Sequence, residues 1–558
     1  MNKNRKINNR KVVKMMNISE KQTSSQCKSI YNCVCNTVKS SPNSTAIISI
    51  SKNGKSEQIS WQGLLSSVNF MSRFLLKYDL KPQAKVVIAL PNKISTVITT
   101  LAVWHLGCCV FFLSQELTSN ERNCLLNQIK PDLVLGPWLH LPYPMGHIPK
   151  ELEDYSFEEA TPLPDIVSAP SRATATGGST GVPKIIVEEA ALLYDETDFK
   201  QWEMITGQVA GYSQLVCGSL HHALFNNSFY ISLSMGNCNI LMEKFNENIA
   251  LEAIETYHIN SLVLVPTMMS RMSKAQKQKK TDLSSIQCLH HAAASCPIWL
   301  KKEWIDLIGA KKVHEFYSMS EKVGLTYIRG DEWIKHEGSV GRPLVGKMEI
   351  RDDDYNLLPA GASGNVYFVA DQPHITHYLT AEGDDSVNDK LKSTTISMGD
   401  LGYLDKDDFL YLVDRRSDMI ISGGKNIYAA EVENVLKEYS KIEDIVVIGL
   451  PDPIWGRKVH ALIQPACDSK DFDLYRFTNF GFQKMCNYKL PKTIELVESL
   501  PRDNNGKIRR KALVEERVAA KDAETLYHYL NVPNGHQLIS WKNRKRKKGT
   551  NGSQITVS

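Results

Sequence analysis

The sequence lacks most of the marks that would set a 558-residue chain apart from ordinary globular proteins. Its basic N-terminus has no apolar run of the kind a secretory signal needs. The C-terminal ITVS is neither a peroxisomal address nor a prenylation motif. The stretch VITTLAVWHLGCCVFFL, Val97 to Leu113, is nearly uncharged but barely approaches a membrane span, and it contains His105 and Gly107. It reads as a buried helix ending at Gly107 and then a buried strand, so no transmembrane segment is expected. The 12 cysteines are scattered, with no paired CxxC spacing for zinc and no disulfide framework. Reduced thiols and a cytoplasmic location are the expectation. No repeat marks a solenoid. Excess charge is scarce: the net charge is +5, and basic residues gather in 1–16 and in KNRKRKK at 542–548. These runs read as solvated tails, with no nucleic-acid partner.

What is present is an alternation of short apolar runs with helical patterns. AKVVIAL (84–90), PDLVLG (131–136), NSLVLVP (260–266), IQCLHHAAA (286–294) and KVHEFY (312–317) read as strands or strand-to-loop transitions. Helical patterns cover Lys93–Leu106 and begin again at Thr267. Such alternation predicts an α/β fold with mostly parallel sheet and flanking helices, its functional loops at the carboxyl ends of strands. After about residue 335 the texture becomes β-rich, and 418–515 reads as a small α+β domain. The expected organisation is a basic, partly disordered segment at 1–40, a large domain at 41–414 and a hinge at 415–418. A small C-terminal lid domain at 419–520 and a basic tail at 521–558 complete it.

TATGGSTGVPK, Thr174 to Lys184, is the most specific local signal. Glycines let the backbone approach a ligand closely, and successive turn N–H groups cradle phosphate oxygens. Thr176, Ser179 and Thr180 add hydroxyl donors, and Lys184 adds a point charge. The spacing fails the common P-loop, because Gly181 is followed by Val182-Pro183. Taken alone, the run fits a flexible linker and a phosphate loop equally well.

Its company decides. EFYSMSE runs from Glu315 to Glu321, SMGDLGYLD begins at Ser397, DRRSDMIISGGKNIYAAEVE at Asp414 and LPRDNNGKIRRKAL at Leu500. ALPN (89–92), LVPT (264–267), HAAASCP (291–297), GSVGRP (338–343) and GLPDPIWG (449–456) accompany them. This ordered set resembles the adenylate-forming superfamily of acyl-CoA synthetases, peptide-synthetase adenylation domains and firefly-type luciferases, over roughly residues 45–515. In look it is closest to the acyl-CoA synthetases.

The resemblance implies two steps: a carboxylate attacks the α-phosphate of ATP, then a thiol attacks the acyl-AMP. It implies that Thr176, Gly177, Gly178, Ser179, Thr180, Gly181 and Lys184 hold phosphates, with Tyr317, Ala293 and Ala294 against adenine. Asp400 and Arg415 would hold the ribose, and Ser320 would touch the α-phosphate. Glu321 would bind Mg²⁺, Lys507 would bridge the attacking carboxylate and the α-phosphate, and Gly423 and Gly424 would line the path of the thiol arm. The implied ligands are ATP, Mg²⁺, CoA and a small carboxylic acid. Departures from the family pattern are Gly177 for serine, Ile185 and Ser318 for glycine, Met398 for threonine and Ser417 at the hinge. None removes a charge from the chemistry. His221, His222, Phe225 and Met319 are candidates for the acyl pocket, as is Met268; a packed histidine is an equal reading, and Met and Phe at such spacing usually mean core. The expected activity is an AMP-forming acid–CoA ligase. Loading of a carrier-protein phosphopantetheine, luciferase-like oxidation and a silent binding protein stand as alternatives.

Overall fold

Buried parallel strands dominate the large part of the molecule. The computed structural model describes residues 27–117, 119–153, 161–176, 184–319, 321, 323–344, 346–370, 376–379, 393–415, 418–422, 425–452, 455–468, 471–485, 488–502 and 508–519. The chain divides into two compact units: residues up to 348 with 367–396, and 349–366 with everything from 397 onward. The division therefore differs from the expected cut at 415–418, because 349–366 and 397–414 pack with the C-terminal residues.

In the large unit, nine strands among the described residues form one sheet and seven form another. Val313–Ser318, Cys288–His291, Ser261–Leu264 and Ser213–Val216 lie side by side and parallel in the first. Every residue of Ser261–Leu264 is buried, since the strand has parallel neighbours on both sides and covered faces, and its sequence is accordingly close to an unbroken apolar run. Because these four strands point the same way, the loops after residues 216, 264, 291 and 318 emerge along one sheet edge. The second sheet runs from Thr376–Leu379 through Lys184–Glu188 and Arg172–Thr176 to Cys109–Phe112 and beyond.

The uncharged stretch that opened the question of a membrane is core. Ile94–His105 is a helix buried on all sides except at Ser95, and Cys109–Phe112 is a fully buried strand. Among the described residues no helix is long and apolar enough to cross a membrane. Local signals fix the helix ends: Glu196–Thr206 starts with a capping box of Asp195 and Asp198 and stops at Gly207, which has φ 75°.

In the small unit, Thr395–Leu404 pairs antiparallel with Leu410–Arg415. A second sheet joins Lys425–Ile427, Ile420–Ser422, Gly456–Pro465, Ile442–Asp452 and Thr493–Leu496. Helix Arg510–Ala519 packs on it: Ile508, Leu513 and Val514 meet Val446, Ile448 and Leu450.

Candidate active site

The Gly/Ser/Thr run joins two antiparallel strands. Arg172–Thr176 pairs with Lys184–Glu188, and the ladder ends with Thr176 opposite Lys184. Gly177, Gly178, Ser179, Thr180 and Gly181 lie outside the described residues, as do Ser320, Gly423, Gly424 and Lys507. The base of the hairpin is pinned by Arg172, which is 4 % exposed. Its Nε donates to Glu188 at 3.0 Å, its Nη1 to Asn226 Oδ1 at 2.6 Å, and its Nη2 to Asn227. A buried guanidinium needs this many acceptors to offset its desolvation. The hairpin is thereby tied to helix Ala223–Ser234.

That helix follows the loop bearing His221 and His222. Asn92, in ALPN, donates to Gly218 O at 2.8 Å and accepts from Leu220 N at 3.0 Å, and Asn226 donates to Leu220 O at 2.8 Å. His221 Nδ1 lies 2.5 Å from Ser219 Oγ, and the centres of the two imidazoles are 3.9 Å apart with their planes tilted by 52°. Both histidines are half-buried, as is Met319. Phe225 is placed otherwise: at 1 % exposure it packs on Gly218, where a Cβ would stand 2.0 Å from its ring. Met268 is also core, 3 % exposed in helix Pro266–Gln278.

Strand Val313–Ser318 delivers the next pair. Tyr317 is half-buried and stands opposite Thr326. Ser318, where the family pattern has glycine, donates from Oγ to Gly324 O at 2.5 Å and draws together the ends of the turn containing Glu321. Glu321 accepts from Tyr378 Oη at 2.5 Å, and its carbonyl accepts from Thr376 Oγ1 at 2.8 Å. Burial, and then the bond to Glu321, pushes the Tyr378 phenol up, so it stays a donor. Strand Thr376–Leu379 pairs with Lys184–Glu188, with Tyr378 opposite Ile186. One intervening strand thus brings the candidate metal carboxylate to the phosphate hairpin. Sequence reading missed Thr376 and Tyr378, which lie in no motif.

Ala293 and Ala294 follow strand Cys288–His291 and are exposed; Ala293 has φ 71°, a left-handed conformation that alanine adopts at a cost of about 1–2 kcal/mol. Beneath them is a dry polar cluster. Lys301, 0 % exposed, donates to Glu315, and its ammonium lies 4.8 Å from the Trp333 ring centre. His291 Nδ1 is 4.0 Å from Glu315 Oε1, and burial, then the nearby Lys301 charge, holds its imidazole neutral, well below the usual range. Of this cluster, Lys301 and Trp333 lie in no motif, whereas His291 and Glu315 stand in motifs whose pairing the sequence did not show. Its signal was a lysine on the stripe Lys301, Trp304, Ile308 that helix Ile298–Ile308 buries.

In the small unit, Asp400 and Arg415 are directly opposed in the ladder; Asp400 is half-buried and follows Gly399 at φ 73°. The segment containing Lys507 is flanked by an antiparallel bridge between Arg502 and Ile508. Arg502 donates to Asp444 at 2.5 and 3.0 Å. Asp444 stays below the ordinary carboxylate range: burial acts to raise it, but the combined pull of Arg502 and Lys437 outweighs that.

Residues 35–372 match the AMP-binding enzyme family, and 431–507 match the AMP-binding enzyme C-terminal domain. A 2-succinylbenzoate–CoA ligase of Bacillus licheniformis is 29 % identical over 452 residues, covering 79 % of this chain and 91 % of that protein. An indoleacetate–CoA ligase of Aromatoleum aromaticum is 28 % identical over 349 residues, covering 62 % and 67 %. The fold is that of o-succinylbenzoate CoA synthetase from Bacillus subtilis in complex with its acyl-adenylate intermediate (TM-score 0.73, 22 % identity, 86 % and 97 % covered). It is also that of an anthranilate CoA ligase in complex with anthranoyl-AMP (TM-score 0.76, 19 % identity, 90 % and 99 % covered). With well over half its length matched, in the order the motifs require, the chain belongs to the AMP-binding enzyme family.

Proposed function

We infer that this protein is an ATP-dependent carboxylic acid–CoA ligase that acts through an acyl-AMP. The observation that best supports the reading is the Glu321–Tyr378 bond, because Tyr378 lies on the strand paired with Lys184–Glu188, which leads out of the run we assign to the phosphates. In the first step a carboxylate oxygen bonds to the α-phosphorus and the bond to pyrophosphate breaks. In the second a CoA thiol, losing its proton, bonds to the acyl carbon and AMP leaves.

The residues divide the work. Thr176, Gly177, Gly178, Ser179, Thr180, Gly181 and Lys184 bind the phosphates, and Ser320 meets the α-phosphate. Ala293, Ala294 and Tyr317 border adenine, while Asp400 and Arg415 take the ribose hydroxyls. Glu321 suits Mg²⁺: one hard carboxylate leaves room for phosphate and water oxygens, and Tyr378 fixes its rotamer. Bound there, Mg²⁺ would neutralise phosphate charge. Lys507 steadies the attacking carboxylate and the α-phosphate, and 415–418 is the hinge about which Gly423 and Gly424 approach the pantetheine arm. His221, His222 and Met319 border the acid, with Phe225 behind them as packing. The similar ligases named above act on aromatic acids, which makes that class the first to screen. A cytoplasmic location is our reading from the free cysteines among the described residues.

Pyrophosphate release across aliphatic, aromatic and steroid-like acids tests this. An active acid should give a thioester with free CoA, and Lys507→Ala should cut acyl-AMP formation about 100- to 1000-fold. Acyl-AMP that ignores CoA but acylates a carrier protein would overturn the acceptor. No pyrophosphate from any acid would overturn the ligase.

A further inference from the structure

Arg510 stands three residues after Lys507, in the first turn of helix Arg510–Ala519. Its guanidinium is spent on three separate parts of the small unit. Nη1 donates to Asp418 Oδ2 at 3.0 Å, Nη2 to Glu433 Oε1 and Oε2 at 2.7 and 2.8 Å, and Nε to Val447 O at 3.2 Å. Glu433 Oε1 also accepts from Val447 N at 2.7 Å, so the helix Ala429–Leu436, the strand Ile442–Asp452 and the C-terminal helix close on one guanidinium. Asp418 is the residue that ends 415–418.

The helix does not need this contact to dock. Ile508, Leu513 and Val514 already bury apolar surface on the sheet, and on the other side Arg502 holds Asp444. What Arg510 adds is direction. A planar fork with several fixed donors sets the angle of the helix start in a way that one ammonium cannot. The side chains of Arg510, Asp418 and Glu433 are 23 %, 18 % and 17 % exposed, sheltered but not dry, so their loss should disturb aim more than folding.

We propose that Arg510 is a positioning residue for adenylation, coupling the segment that carries Lys507 to Asp418 at the end of 415–418. The proposal rests on the assignment of Lys507 above. Because the lysine would serve the first step alone, the two half-reactions should respond differently.

The test uses the full chain with Arg510→Gln, Arg510→Lys and Asp418→Asn. With an acid found by the pyrophosphate screen, acyl-AMP formation should fall about 10- to 100-fold in Arg510→Gln, the scale of an ångström's misplacement. Thioester formation from supplied acyl-AMP should stay within about twofold. Arg510→Lys, which keeps the charge but loses the fork, should recover only part. A second reading needs no acid: amide exchange should rise together around 508–512 and 418–422 in Arg510→Gln and stay unchanged around 456–465. Equal loss in both half-reactions, full recovery by lysine or unchanged exchange would each overturn the coupling. Should no acid release pyrophosphate, the ligase reading fails by itself and the exchange result still decides whether Arg510 links the two segments.

Discussion

Two ion pairs near the candidate nucleotide residues of the large unit and two near the Lys507 segment of the small unit lie in different surroundings. In the large unit Lys301–Glu315 and Arg172–Glu188 are nearly dry, with side-chain exposures of 1 %/7 % and 5 %/11 %. In the small unit Arg510–Glu433 and Arg502–Asp444 reach solvent, at 23 %/17 % and 28 %/15 %. Breaking a dry pair strands a buried charge. A wetter pair can exchange its partner for water at little cost and is suited to parts whose angle matters. Variants of the two drier pairs should therefore register in stability, and variants of the two wetter pairs in the balance of half-reactions.

The sharpest way to break that contrast is Lys301→Met. It should cost about 3–5 kcal/mol, read in urea unfolding, because Glu315 is left buried and unpaired. Adding Glu315→Leu should restore most of the loss; a double variant as unstable as the single one would mean that packing, not charge, holds the site. A pH series gives the next effect. His290 is fully buried against the Thr206 carbonyl, and burial pushes it down to about 4. The unfolded chain binds that proton first, so stability rises with pH, and the contribution is complete above 6.5 and is lost as pH falls from 6.5 to about 4. At the acid end the term is about 3 kcal/mol. His290→Gln should flatten the pH dependence of the unfolding midpoint in that window, and an unchanged slope would remove His290 from the account. The smallest effect sets the baseline. Lys511–Glu515, a wholly surface i,i+4 pair at 3.9 Å, should change stability by less than about 0.5 kcal/mol in Lys511→Ala.

How much was legible in the sequence follows from how local each signal is. The strand in NSLVLVP (260–266) was readable to within two residues, as Ser261–Leu264, because a buried apolar run declares itself. The helix and strand of 97–113 were readable for the same reason. The pairing of Arg172–Thr176 with Lys184–Glu188 that flanks the glycine run was not read from the sequence. What escaped is what depends on distant partners. Tyr378 lies 57 residues from Glu321, and Arg172 lies 54 from Asn226. Phe225 was open between pocket and core because its spacing could not report that Gly218 lies against its ring.

The chain passes from one unit to the other three times, after 348, 366 and 396. For exchange of genes among relatives this is restrictive. A single crossover at 397 would leave 349–366 with the recipient, so the small unit would be assembled from two ancestries. A crossover at 349 would bring the whole small unit but also residues 367–396, and with them Thr376 and Tyr378, the hydroxyls that hold Glu321. A donor lacking those hydroxyls would alter the candidate magnesium site even if every motif residue it brought were identical. Inheriting the whole small unit in one crossover therefore also means inheriting the support of the candidate metal acid.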